Sequence, residues 1–380
     1  MKNAVKKIGI SVVILLGMLL FSGCIFLPEY VEVQVDEALF EEQYYYQQYT
    51  DEEKTVYREI YQGLLNQEPE FIVHGTDGEV TNEILFTVLY DFPELFWTDG
   101  EVTSTGYEFP AHVVVEPTYV CSKEERAKRE QEVQEAAEQI IENIPQGYSE
   151  YEKIKYVYEY IVNQVAYVDE APDNQNVYSS LVRKASVCAG YAKEMQYLLE
   201  EMGIPCIYVV GDATNDKGKE AHAWNIVLCN EAYYHVDATW GDPVFSEDDT
   251  RKDDVKVIYD YLCCSDAGVE KTHEKSTTYE YPICDLEELD YYRLNHMYYE
   301  TADKKLLLNA MKQTINQKGA STTFKFANRA LYDQASKVII DELLDTASQY
   351  LGRRYRLNYV QCFYREYPEN NRFMINWEYK

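Results

Sequence analysis

Between Ser186 and Pro243 a helical pattern opens on a cysteine, and two strand-like runs follow, one starting at a histidine and one ending near an aspartate. No other stretch constrains the fold as tightly. The helix has Tyr191, Met195, Leu198 and Met202 on one face, and Gly203 and Pro205 close it. Ser186 is the expected N-cap, which puts Cys188 in the first turn. Free backbone N–H groups and the helix dipole at that end stabilise a thiolate, and the same groups can donate to an oxyanion. A cysteine in mid-helix would have neither advantage.

The runs His222–Cys229 and Tyr233–Thr239 read as a hairpin. A symmetric turn about Asn230-Glu231 makes His222 and Asp237 diagonal neighbours on one face. A second register makes them direct partners, and a third puts them on opposite faces and destroys the site. In the productive registers His222 is the general base for Cys188, and Asp237 fixes the imidazole tautomer and supports its charge.

Tyr178 and Leu181, Val187-Cys188-Ala189-Gly190-Tyr191-Ala192, Gly203-Ile204-Pro205, His222-Ala223-Trp224-Asn225 and Tyr234-His235-Val236-Asp237-Ala238-Thr239-Trp240-Gly241-Asp242 together form a pattern. It resembles the transglutaminase-like superfamily, specifically its bacterial exported members, over about residues 148–280. The resemblance implies an α+β fold with a papain-like core, and a Cys188, His222, Asp237 triad acting on peptide or other amide bonds through a thioester. It also implies that Gln175 assists the oxyanion. Trp224 and Tyr191 are expected to wall the cleft, and Tyr261-Leu262-Cys263-Cys264-Ser265-Asp266 with His273 resembles the segment that closes the domain, Cys263-Cys264 occupying a usually aliphatic site. Hydrolysis is the expected chemistry, since no amine-acceptor site is visible. Cross-linking by transamidation and a non-catalytic scaffold are the alternatives.

Flanking this core, residues 51–122 and 281–380 each read as helix–strand–helix–strand–strand, giving two small α/β modules. The catalytic domain is expected over 123–280, and an acidic, Tyr/Gln-rich tether over 24–50. In the C-terminal module, strands are expected at about 354–365 and 372–379.

Lys2, Lys6 and Lys7 precede a 14-residue apolar run from Ile8 to Phe21, closed by Ser22-Gly23-Cys24. The run is short for a membrane span of roughly 17–25 residues and resembles a bacterial lipoprotein signal. That implies cleavage after residue 23, a lipid on Cys24, and a body held at the extracytoplasmic face of the cell membrane. Loss of three lysines takes the net charge from −31 to −34. A field of that sign disfavours nucleic acid and anionic lipid headgroups, so the expected partners are a protein or peptide substrate, with the cell envelope as a candidate source, and the membrane reached through the N-terminal lipid. Nine cysteines include no zinc-type CxxC pairing. His74, His112, His235, His273 and His296 lack paired ligand spacing and read as structural or surface residues. No metal and no cofactor is expected. The run Glu247-Asp248-Asp249 with Asp253-Asp254 lacks EF-hand spacing and reads as a solvated loop.

Overall fold

A computed structural model describes residues 28–215, 218–242 and 257–379. The signal segment 1–23, Cys24 and the acidic run at 247–254 lie outside the described residues. The chain divides into two compact units, one ending at Glu132 and one beginning at Val133.

The first unit holds helices α1 (Asp51–Leu65) and α2 (Gly78–Asp91) and strands β1 (Phe71–Val73), β2 (Thr98–Glu108) and β3 (Ala111–Tyr119). α1 starts with a reciprocal capping box between Thr50 and Glu53, and Asp77 caps α2. The strands form an antiparallel sheet in the order β1-β3-β2. Part of the expected tether is core instead: Tyr45 and Tyr46 are 1 % and 4 % exposed. Their backbone N–H groups donate to the buried Asp91 carboxylate at 3.1 Å, and the Tyr57 hydroxyl joins at 2.7 Å. That carboxylate draws the segment inward.

Helix α3 (Lys123–Glu142) leads into the second unit. There α4 (Glu150–Gln164), capped by Ser149 and Glu152, packs against α5 (Cys188–Glu200). On its other side α5 meets a five-stranded sheet. The strands are β6 (Cys206–Asn215), β7 (Gly218–Cys229), β8 (Ala232–Val236), β9 (Leu262–Cys264) and β10 (His273–Lys275), in the order β10-β6-β7-β8-β9. A short parallel pair, β4 (Ala166–Tyr167) with β5 (Ala185–Ser186), adjoins the start of α5. Wedged between layers, α5 is buried nearly all round rather than on one face. Its polar Glu194 is 0 % exposed and is satisfied by the Ser180 hydroxyl and by Lys184 at 3.4 Å.

The C-terminal part contains β11 (Tyr298–Tyr299), α6 (Lys304–Asn316), β12 (Ser321–Phe326), α7 (Arg329–Val338), α8 (Leu344–Tyr355), β13 (Cys362–Tyr367) and β14 (Arg372–Trp377). A π turn, Ile339–Leu343, joins α7 to α8. Strand order is β11-β12-β14-β13, with β12 and β13 each antiparallel to the central β14, as β1 and β2 are to β3 in the first unit's sheet. The two flanks therefore share one strand plan, and β11 is an addition in the second. The strand expected from 354 begins only at Cys362, because α8 persists to Tyr355 and ends on Arg356 in the left-handed region at φ 54°. The mixed helix and sheet content, with a central helix backed by an antiparallel sheet, is an α+β fold.

Candidate active site

β7 and β8 form a hairpin in the register that makes His222 and Asp237 diagonal neighbours: Asn225 pairs with Val236 and Cys229 with Ala232. The two-residue turn Asn230-Glu231 has φ 51° and 65°, the type I′ geometry that matches strand twist. Alternation then puts both side chains on one face of the sheet, opposite to that of Asn225, whose amide donates to the Ala192 carbonyl of α5 at 3.0 Å.

There the His222 Nε2 lies 2.8 Å from Asp237 Oδ2. The His222 side chain is 7 % exposed and that of Asp237 1 %. Asp237 is filled on both oxygens. Its Oδ1 accepts from the Thr239 and Trp240 N–H groups at 2.8 and 3.1 Å, capping the short helix Ala238–Gly241. Burial alone would raise the Asp237 carboxyl, but His222 and then His273 overcome it and hold the group well below the usual carboxylate range. An ionised carboxylate only accepts, so the His222 Nε2 carries the proton of that bond. Burial likewise works against the His222 imidazolium, yet Asp237, followed by the Cys188 sulfur, pushes it up to about 10.

With Nε2 committed to Asp237, the other ring nitrogen is left for Cys188, whose side chain hydrogen-bonds the imidazole. Cys188 is half-buried and is the first residue of α5. The N-cap is Val187 rather than Ser186, and it offers no side-chain acceptor. Ser186 is diverted: its hydroxyl donates to the Asn174 carbonyl at 2.5 Å and adjoins Ser179 Oγ at 2.8 Å. The Gly190 and Tyr191 N–H groups bond the Val187 carbonyl, while the Cys188 N–H faces the Tyr167 hydroxyl. Burial and the neighbouring Cys188 push that phenol up to about 12.

The other expected site residues fare differently. Gln175 is exposed. The Asn174 carbonyl bonds the Val187 N–H at 3.0 Å, which brings the loop bearing Gln175 alongside the start of α5. Trp224 and Tyr191 are 1 % and 0 % exposed, so they support the site from beneath instead of lining an opening. The Trp224 ring centroid is 6.0 Å from that of His222, and its Nε1 donates to His235 Nδ1 at 3.0 Å. The Tyr191 hydroxyl donates to the Val165 carbonyl at 2.8 Å. Both rings are captured by polar partners in the core, which draws them out of any cleft.

One residue read as structural or surface belongs to the constellation. His273, 4 % exposed on β10, has Nε2 2.9 Å from the same Asp237 Oδ2. It reaches across because Gly211, opposite His222 on β6, carries no side chain. A Cβ there would stand 2.2 Å from the Glu274 carbonyl and 3.0 Å from the Trp224 ring. Among the described residues, two groups bring three potential ligand atoms within 4.8 Å: His222, Asp237 and His273, and His235, Asp266 and Cys284. In the first, hydrogen bonds account for the approach. In the second, Asp266 already engages His235, Lys275 and the Cys284 N–H.

Residues 134–238 match the family model described as the transglutaminase-like superfamily. No curated protein matches the chain. Among solved structures, a TGase is similar at 15 % identity, covering 39 % of this chain and 46 % of that one, with a TM-score of 0.27. A candidate cysteine protease from Cytophaga hutchinsonii is similar at 14 %, covering 37 % and 61 %, with a TM-score of 0.25. A candidate protease from Parabacteroides distasonis is similar at 14 %, covering 35 % and 30 %, with a TM-score of 0.22. This chain spans less than two thirds of the length of each. The stretch that carries the Cys188 helix and the His222–Asp237 hairpin is a transglutaminase-like superfamily domain.

Proposed function

We propose that this protein is a thiol enzyme that cleaves peptide or other amide bonds, using Cys188 as nucleophile, His222 as acid and base, and Asp237 to orient His222. The observation that carries the reading is the 2.8 Å bond from the His222 Nε2 to a fully buried carboxylate, with the Cys188 side chain hydrogen-bonded to the same imidazole. Cys188 Sγ adds to the amide carbonyl carbon, and the oxygen takes up negative charge at the start of α5, where no side chain caps the Ala189 N–H. The imidazolium then gives its proton to the departing nitrogen as the C–N bond breaks, leaving a thioester and neutral His222. Water next attacks the thioester while His222 removes its proton, and collapse releases the acid and returns the thiol. Gln175 is proposed as an accessory oxyanion donor that turns inward only with substrate bound.

We further propose that the body is held outside the cytoplasm by a lipid on Cys24, with a cell-envelope protein or peptide as substrate; the N-terminal sequence supports this. Selective alkylation tests the chemistry. In the full chain, Cys188 should react with iodoacetamide at mildly acid pH, where ordinary thiols are protonated, and His222→Ala should abolish that. Labelling no faster than an ordinary thiol would favour a scaffold that keeps the fold without turnover.

A further inference from the structure

His273 has no part in the mechanism above, yet it is built into the same hydrogen-bond system. Its Nε2 shares Asp237 Oδ2 with His222, and its Nδ1 lies 2.8 Å from Thr272 Oγ1. The Tyr261 hydroxyl lies 3.3 Å from that same Thr272 oxygen. Because the carboxylate only accepts, His273 donates through Nε2, and in the neutral ring Nδ1 accepts from Thr272. The ring is clamped among aromatics, with centroids 4.8 Å from Trp240, 5.1 Å from Trp224 and 5.4 Å from Tyr261. A residue needed only to fill this space would be apolar, since a buried polar ring is costly without partners. Here both nitrogens are aimed at partners.

We infer that His273 is a positioning residue for the proposed thiol chemistry: it holds Asp237 Oδ2 on the line to His222 and moderates how tightly that carboxylate grips the His222 proton. The inference rests on the assignment of Cys188, His222 and Asp237 as the reacting set. A carboxylate oxygen shared by two N–H donors is a weaker acceptor toward each than one serving a single donor. That balance matters because His222 must release its proton to the leaving amine and then take one from water. Other titratable groups coupled to the cluster are Cys188 on α5, Tyr158 on α4, Tyr261, Cys264 on β9 and His235 on β8. Asp237 Oδ2 bonds the two imidazoles and none of these.

Two substitutions test this in the full chain. His273→Phe keeps a ring and removes the donor, whereas His273→Gln returns a side-chain N–H near the position of Nε2. The chain has six histidines, so the His222 ring can be followed by nitrogen NMR of histidine-labelled protein. In His273→Phe the pH at which His222 loses its proton should rise by about one unit, a roughly tenfold tighter hold. His273→Gln should restore most of the wild-type midpoint. An unchanged midpoint in folded His273→Phe, or an equal shift in His273→Gln, would overturn the inference. The underlying reading fails by a different sign: a His222→Ala chain whose Cys188 alkylates at the wild-type rate. The NMR midpoint needs no reactive sulfur, so it still decides the role of His273 in that case.

Discussion

Replacing Asp237 by Asn separates two jobs of one side chain. An Asn that keeps its oxygen on the Thr239 and Trp240 N–H groups retains the helix cap and turns its NH2 toward His222 and His273. Donor would then face donor, so each ring must move its proton to the other nitrogen. For His273 this is easy, because Thr272 Oγ1 can accept as readily as donate. For His222 it puts the proton on the edge facing Cys188, and the ring can no longer take the thiol proton. Exchanging two charge-assisted bonds for neutral ones costs about 2–3 kcal/mol. For a unit the size of Val133–Lys380 that is a fall in Tm of about 4–12 °C. The chemical loss should be far larger, about four orders of magnitude in turnover for a triad imidazole held in the wrong tautomer. Before a substrate is known, the assay is the iodoacetamide rate at Cys188 near pH ~5.5. An ordinary thiol is only about one part in a thousand ionised there, so the rate should fall by about two to three orders of magnitude. A variant with the expected Tm and an undiminished acid-side rate would refute the role assigned to Asp237.

Two further outcomes follow from the same geometry, and a third from the proposed lipid anchor. His222→Leu breaks a buried ion pair and should cost about 3–5 kcal/mol near neutral pH. The His222 group is raised from 6.5 to about 10 in the fold, so its contribution is complete below 6.5 and disappears as pH rises through about 10; melting curves of variant and wild type should converge in that alkaline range. Gly190→Ala would put a Cβ 1.9 Å from Ser186 Oγ, which Asn174 and Ser179 already hold, so thermal melting should reveal a loss of about 1–3 kcal/mol. Cys24→Ala should abolish incorporation of labelled fatty acid and release the protein from membranes; retained label would remove the proposed anchor.

The parts of the site written in local pattern were legible. Alternation on either side of a two-residue turn narrowed His222 and Asp237 to three registers, of which the symmetric turn about Asn230-Glu231 is the one found, and a cysteine ahead of an apolar helical stripe located α5. Competition for a hydroxyl was not legible. Ser186 has the chemistry of a cap, but Asn174 and Ser179 claim it, so Val187 takes that position. The tie of His273 to Asp237 was hidden for a different reason: its strand is three residues long and pairs with β6, and no periodicity links residue 273 to Asp237. In the flanks the element order was readable, whereas β11 has only two residues and no signature. Tyr45 and Tyr46 looked like tether because a distant carboxylate, Asp91, decides their burial.

The bare start of α5 has a consequence for anyone seeking to toughen this protein. Standard capping rules would recommend Ser, Thr or Asp at 187, for a gain of about 1 kcal/mol. The new oxygen would compete for the Ala189 N–H, which neither the Val187 carbonyl nor the Tyr167 hydroxyl takes and which the proposed chemistry needs for the acyl oxygen. A hardier variant made this way should be slower in the proposed thiol chemistry, because the added oxygen would stand where the acyl oxygen has to bind.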